Sequence, residues 1–259
     1  MNFIKTIISI ARNTFREAVR DRVLYNLVLF VLIVTASAIF LGDLTNGQEA
    51  RTIVNLGLSA MLLFGAFISI FVGVSLVSKE IEKRTVYAIF AKPIGRGEFI
   101  VGKYLGLCLT ILVNVLVMGI GVSLALLYVG GGNLALTIWG AIFLIFLELA
   151  ILTAVAILFS SFSSPALSAL LTFFVFIIGN FSSSLRDFAA NLGSTATKVI
   201  FEIIYYAFPN LSFYSFITNS ANGDFPSTAI IGGATVYAIV YIAILLAITV
   251  LIFSRRNFK

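Results

Sequence analysis

Between Tyr104 and Leu147 the chain runs 44 residues without one charged side chain. Charged groups are costly in hydrocarbon, and one membrane span takes about 20 mostly apolar residues. A run of this length is therefore two spans, and Gly130-Gly-Gly-Asn133 supplies the break. The same reading predicts spans at 23–42, 53–78, 104–129, 134–159, 166–185 and 228–253, with Ser160-Ser-Phe-Ser-Ser-Pro165 turning the chain between the fourth and fifth. Ala36-Ser37-Ala38 imitates a signal-peptide cleavage site, but the apolar run passes it and continues to Leu41, so a span is expected there. With 60% hydrophobic and 11% charged residues, against about 25% charged in soluble domains, a soluble fold is excluded. The expected fold class is all-α and integral to the membrane: one transmembrane domain, 1–259, with six transmembrane helices.

The charges that remain are not scattered. Lys79–Lys103 holds nine of the 28 charged residues, six basic and three acidic, between charge-free runs on both sides. Placing the N-terminus and this loop in the cytoplasm puts fourteen Lys and Arg inside and three outside (Arg51, Arg186 and Lys198). That asymmetry matches the positive-inside rule for six spans with both termini cytoplasmic. The net charge of +6 therefore reflects topology and anionic lipid rather than nucleic acid. One Cys, Cys108, and no His leave no basis for a metal site in this chain.

The first 22 residues form a separate element. Ile4, Ile7, Ile8, Ala11, Phe15, Ala18 and Val19 recur at helical spacing, opposite Lys5, Ser9, Arg12, Asn13, Arg16 and Arg20. This is a basic amphipathic helix, suited to the inner leaflet boundary and to contact with a cytoplasmic partner. Within the long loop, Lys79–Ala91 has no Gly or Pro and reads as a helix, ended by Pro93, Gly95 and Gly97. Val86, Ile89 and Phe90 form an apolar ridge flanked by Lys83, Arg84 and Lys92, a pattern that fits a groove on a cytoplasmic protein. Gly97-Glu-Phe-Ile-Val-Gly-Lys-Tyr104 nearly spells a phosphate-binding loop, but Tyr replaces the metal-binding hydroxyl and the segment enters a span, so no nucleotide is expected here.

Taken together, Glu80, Glu82, Arg84, Thr85, Lys92, Pro93, Arg96, Glu98, Phe99, Gly102 and Lys103 resemble the loop between the second and third spans of ABC-2-type permeases. Ala11–Tyr25, the Ser160–Pro165 turn and Phe208-Pro-Asn-Leu211 also look like members of that family. The likeness is closest in detail to the permeases associated with nitrous oxide reductase maturation, and their relatives. Arg84 departs from the pattern, since many members have Gly before the Thr. The resemblance implies a type V exporter fold working as a dimer in the cytoplasmic membrane of a prokaryote, with a second permease copy or a paralogue. It also implies docking on a separate ATPase subunit, which would carry the ATP and Mg²⁺, through Glu80, Glu82, Arg84, Thr85, Val86, Ile89, Phe90, Lys92, Pro93, Arg96 and Glu98. An N-terminal amphipathic helix bearing Arg12, Arg16 and Arg20 would lie on the same side.

Glu148 is an intramembrane carboxylate, read either as a substrate or proton contact or as a helix-joining hydrogen-bond partner. Asn114 and Asn180 are expected to join helices. The 186–227 segment is the long external loop, and resembles the family's short re-entrant helices. A membrane-embedded lipid-modifying enzyme would need a cluster of His or acidic residues that the sequence lacks. An ion-coupled carrier would need several intramembrane ionisable groups and internal repeats.

Overall fold

The computed structural model describes residues 3–19, 29–30, 33–34, 37, 48–82, 95–184, 199, 202–203, 205 and 208–255, side chains excepted at 3 and 76–82. No β-strand occurs among them. In order they form α1 (Phe3–Ala18), α2 (Glu49–Glu82), α3 (Arg96–Tyr128), α4 (Gly132–Ser160), α5 (Pro165–Asn180), a 3-10 turn (Leu211–Tyr214), α6 (Ile217–Ala221) and α7 (Thr228–Arg255). Among the described residues α2, α3, α4 and α7 are long and apolar enough to cross a membrane, and α5 is a shorter apolar helix. The region of the first expected span is described only at residues 29, 30, 33, 34 and 37, all helical. There Phe30 and Val34 are buried, and the Phe30 ring meets Phe64 of α2 edge-on, 6.1 Å between centroids.

The helix ends follow from local chemistry. Gly130 takes φ +82° just past α3, a conformation that strains any residue with a Cβ. Its N–H donates to Leu127 C=O at 3.2 Å and that of Gly131 to Leu126 C=O at 2.8 Å, the paired bonds of a Schellman stop. Pro165 opens α5, where it withholds no needed donor. Both neighbouring helices reach into the 79–103 segment read as a loop: α2 runs to Glu82 and α3 starts at Arg96, so 96–103 is helix continuous with the long apolar helix. At a rise of about 1.5 Å per residue, α3 is about 50 Å long, well beyond a hydrocarbon core of about 30 Å.

The most buried helix is α4, which packs on α2, α3, α5 and α7. Two apolar clusters meet on it. One joins α4 to α2, the middle and outer part of α3, and α6; the other joins it to the start of α3, the 3-10 turn, α7 and Ala18 of α1. The 16 residues of α5, about 24 Å, fall short of the core thickness. Part of the expected external loop fills in beside it: Leu211 seats over Gly179, and Leu211, Tyr214 and Ala221 are buried.

α1 lies along the start of α3 at a seam of two glycines four residues apart, Gly102 and Gly106. A Cβ at 106 would sit 2.5 Å from the Ala11 carbonyl oxygen and 2.6 Å from Thr14 Cβ; one at 102 would sit 2.8 Å from Ile10 Cβ. Small residues at this spacing let two helices approach closely. Substitution Gly106→Ala is therefore expected to lift α1 away from α3 and to speed trypsin cleavage after Arg12 and Arg16 severalfold. Gly97→Ala, whose Cβ would meet Val250 at an ordinary 3.8 Å, should leave the cleavage rate unchanged.

Candidate functional site

The start of α3 gathers three elements. Arg96 in its first turn donates to the Phe253 carbonyl of α7 at 3.2 Å and also to the Ser254 carbonyl. A helix leaves its last carbonyls without partners and carries partial negative charge there, so a guanidinium fork is a suitable cap. One turn on, Phe99 stacks on Phe253 with centroids 6.0 Å apart and planes 19° from parallel. A further turn on, Lys103 is 2% exposed and its ammonium lies 3.7 Å from the Glu17 carboxylate of α1. Arg96, Phe99 and Lys103 thus share one stripe of α3, and through it α7 and α1 are tied to the same helix.

Glu98 acts locally. Its carboxylate accepts from the Gly95 N–H at 3.2 Å and sits at the positive end of α3. Arg96 and Glu98, expected as docking residues, therefore both make bonds that build the fold at this end. Of the other expected docking residues, Glu80 and Glu82 lie in the last turn of α2 without described side chains, while Arg84, Thr85, Val86, Ile89, Phe90, Lys92 and Pro93 lie outside the described residues. On α1, Arg12 and Arg16 are exposed; Arg20 lies outside the described residues.

Deeper in the bundle, Glu148 of α4 is 1% exposed and accepts from Asn180 Nδ2 at 2.8 Å, joining α4 to the last residue of α5. The same amide nitrogen donates to Phe176 C=O at 3.1 Å. This is the helix-joining arrangement. Asn114 differs from expectation: its Nδ2 bonds Thr110 C=O of its own helix at 2.7 Å, so it joins no second helix through that group.

Toward the start of α7 is a hydrogen-bond network that the sequence does not advertise. Asn210 Oδ1 accepts from the hydroxyls of Ser182 and Ser212, each at 2.6 Å, and its backbone N–H donates to Tyr237 Oη of α7 at 3.0 Å. Tyr214 donates to Ala234 C=O at 2.9 Å, and burial pushes its phenol above the ordinary range, which keeps the proton on the oxygen. The Phe-Pro-Asn-Leu motif is thereby pinned to the end of α5 and to α7 at once. Only the motif itself was a sequence signal. Glu17 was another missed residue, although as the sole acid in the first 20 residues it invites a search for a partner.

A family model described as ABC-2 family transporter protein matches residues 8–258. The chain belongs to that family. It is a multi-pass membrane protein and the membrane component of a transporter; members of the family work with an ABC ATPase subunit. No curated protein matches the sequence.

Two outcomes follow from these bonds. Interhelical hydrogen bonds in membranes are worth about 0.6–1.7 kcal/mol. Glu148→Ala is expected to lower the unfolding midpoint in detergent by about 2–4 °C. Glu148→Gln, which retains an acceptor for Asn180, should lower it by less than half as much. Arg96→Gln should loosen the end of α7 and raise the rate of trypsin cleavage after Arg255 about fivefold, as expected for losing charge-assisted bonds of about 1 kcal/mol; Arg96→Lys should recover part of the protection.

Proposed function

We propose that this chain is the permease subunit of an ATP-binding cassette exporter: six spans forming the translocation pathway, driven by a separate ATPase subunit. The observation that carries the reading is the tie at the start of α3, where Arg96 holds the end of α7 and Lys103 meets Glu17 of α1. The 79–103 segment joins α2 to this tie, so a force applied to it acts on α1, α3 and α7 together. That is the mechanical requirement for coupling: a partner that changes shape must make different contacts in two states of the permease. The membership of the ABC-2 family, and the resemblance of this segment to that family's docking loop, name the partner class.

In this reading the Val86, Ile89 and Phe90 ridge enters a groove on the ATPase, which carries ATP and Mg²⁺. Glu80, Glu82, Arg84, Thr85, Lys92 and Pro93 surround the ridge, and both termini are cytoplasmic. The working unit pairs two permeases, identical or paralogous, in the inner membrane of a prokaryote. The detailed likeness of the loop to permeases of nitrous oxide reductase maturation belongs to the same proposal.

The test is co-purification of the chain with the ATPase encoded beside it. A carboxylate placed on a buried anchor costs at least about 2 kcal/mol, more than tenfold in affinity. Phe90→Asp and Val86→Asp should each abolish recovery of the ATPase while leaving the permease folded. Undiminished recovery with both variants overturns the docking assignment.

A further inference from the structure

α1 is a three-sided helix, and among the described residues one side is buried against the bundle. At about 100° per residue, Thr6, Ile7, Thr14 and Ala18 fall on one face, and all four are buried against α3 or its neighbours. Next to that face runs a row of Ile4, Ile8, Phe15 and Val19. Ile4 is 68% exposed and Ile8 59%; Val19 is exposed and Phe15 half-buried. Beyond the row lies a stripe of Lys5, Arg12 and Arg16, all exposed, and beyond that Ser9 and Asn13. An amphipathic helix used only for docking on the bundle would need no second apolar row.

The geometry says which way that row points. The Lys103–Glu17 pair fixes the rotation of α1 about its own axis, because Glu17 stands on the opposite flank of the buried face from Ile4 and Ile8. On α3, Lys103 stands on one flank of the Gly102–Gly106 seam. On the other flank are Leu105 and Leu109, both exposed on a membrane span. The apolar row of α1 therefore comes down on the flank of α3 where lipid is the solvent. The basic stripe follows it outward, in the order acyl chain, headgroup, water.

We propose that α1 is a binding element for anionic phospholipid, with Ile4, Ile8, Phe15 and Val19 among the acyl chains and Lys5, Arg12 and Arg16 on the headgroup phosphates. Charge complementarity selects this occupant: the exposed stripe carries three cations, and the one acid of α1, Glu17, is engaged by Lys103 on the far flank. Long basic side chains beside an apolar face reach headgroup level while their stems cover hydrocarbon. Each such residue near an anionic surface is worth about 1 kcal/mol, about a fivefold change in binding. The site does not depend on the ATPase reading, only on the fold and on the chain being in a membrane.

The full-length protein in detergent, given phosphatidylglycerol or phosphatidylcholine and weighed by native mass spectrometry, tests this directly. Wild type should retain phosphatidylglycerol about tenfold better than phosphatidylcholine. Arg12→Gln and Arg16→Gln should each cut that preference about three- to fivefold, whereas Arg12→Lys and Arg16→Lys should keep it. Single substitutions leave the inside surplus of basic residues nearly intact, so insertion is preserved. Ile8→Asp should lower retention of both lipids. Equal retention of the two lipids by wild type, or Gln variants indistinguishable from it, would overturn the proposal. So would displacement of the lipid by millimolar inorganic phosphate, which would mark a free-anion site, or by the co-purified ATPase, which would assign the face to protein. Loss of ATPase recovery in Phe90→Asp with lipid preference unchanged separates this inference from the functional one.

Discussion

Hydrocarbon offers no hydrogen bonds, and that constraint organises everything described in this chain. Each backbone group inside the membrane has to find its partner within the protein, which leaves helices as the structure an apolar run of this kind can take. The same rule governs the side chains. Thr110, Thr153, Thr172 and Thr249 each turn their hydroxyl back to the carbonyl four residues earlier, at 2.7–2.9 Å, so a polar atom is buried without needing a second helix. Two polar groups find long-range partners instead: Asn180 for Glu148, Tyr237 for the Asn210 N–H. At the boundary, where α7 runs out of internal donors, Arg96 of another helix supplies them.

The start of α3 concentrates these boundary solutions on one helix. Side chains at 96, 99 and 103 of α3 recur at helical spacing and each meets a different neighbour or a different part of it. Close approach at Gly102 and Gly106 brings α1 near enough for the Lys103–Glu17 pair to form at all. Exposed ion pairs are worth little, and buried ones are weak evidence for stability. The value of this pair lies in direction: with Lys103 buried and Glu17 on one flank, it sets the rotation of α1 and hence what its remaining faces meet.

Much of this was legible in the sequence, and the reasons divide cleanly. Long apolar helices were readable because a charge in lipid is expensive, so charge-free runs mark them; the bounds of α4 and α7 fall within a few residues of the ranges expected for them. The extension of α3 back to Arg96 was not, because Gly95 and Gly97 argue locally for a turn while the bond from the Gly95 N–H to Glu98 starts a helix between them. Arg96 enters the sequence reading through its match to the family's loop; its bond to α7 spans 157 residues of sequence and leaves no local trace. Asn210 was visible only as part of a motif; its partners on α5's end and α7 arise from tertiary packing. Glu148 and Asn180 were each noticed separately, and only the antiparallel return through Ser160–Pro165 brings them to one level.

The way the core is divided bears on how such a bundle moves. The two apolar clusters use different faces of α4: Ile138, Ile142, Ile145, Leu149 and Leu152 belong to one, Leu144, Leu147, Ile151 and Ala154 to the other. Close-packed interiors do not deform smoothly; they slip between discrete arrangements. In the proposed coupling, a displacement delivered to the start of α3 would act on the second cluster, which contains Phe99, Tyr104, Phe253 and Ala18, and which also contains Leu211 and Tyr214 of the 3-10 turn. One continuous body of side chains, α4 residues among them, therefore links the Arg96–Lys103 stripe to the turn that carries the Asn210 network. The Glu148–Asn180 bond between α4 and α5 is modest in energy, so it would fix register within an arrangement without preventing the step to another that the proposed coupling requires.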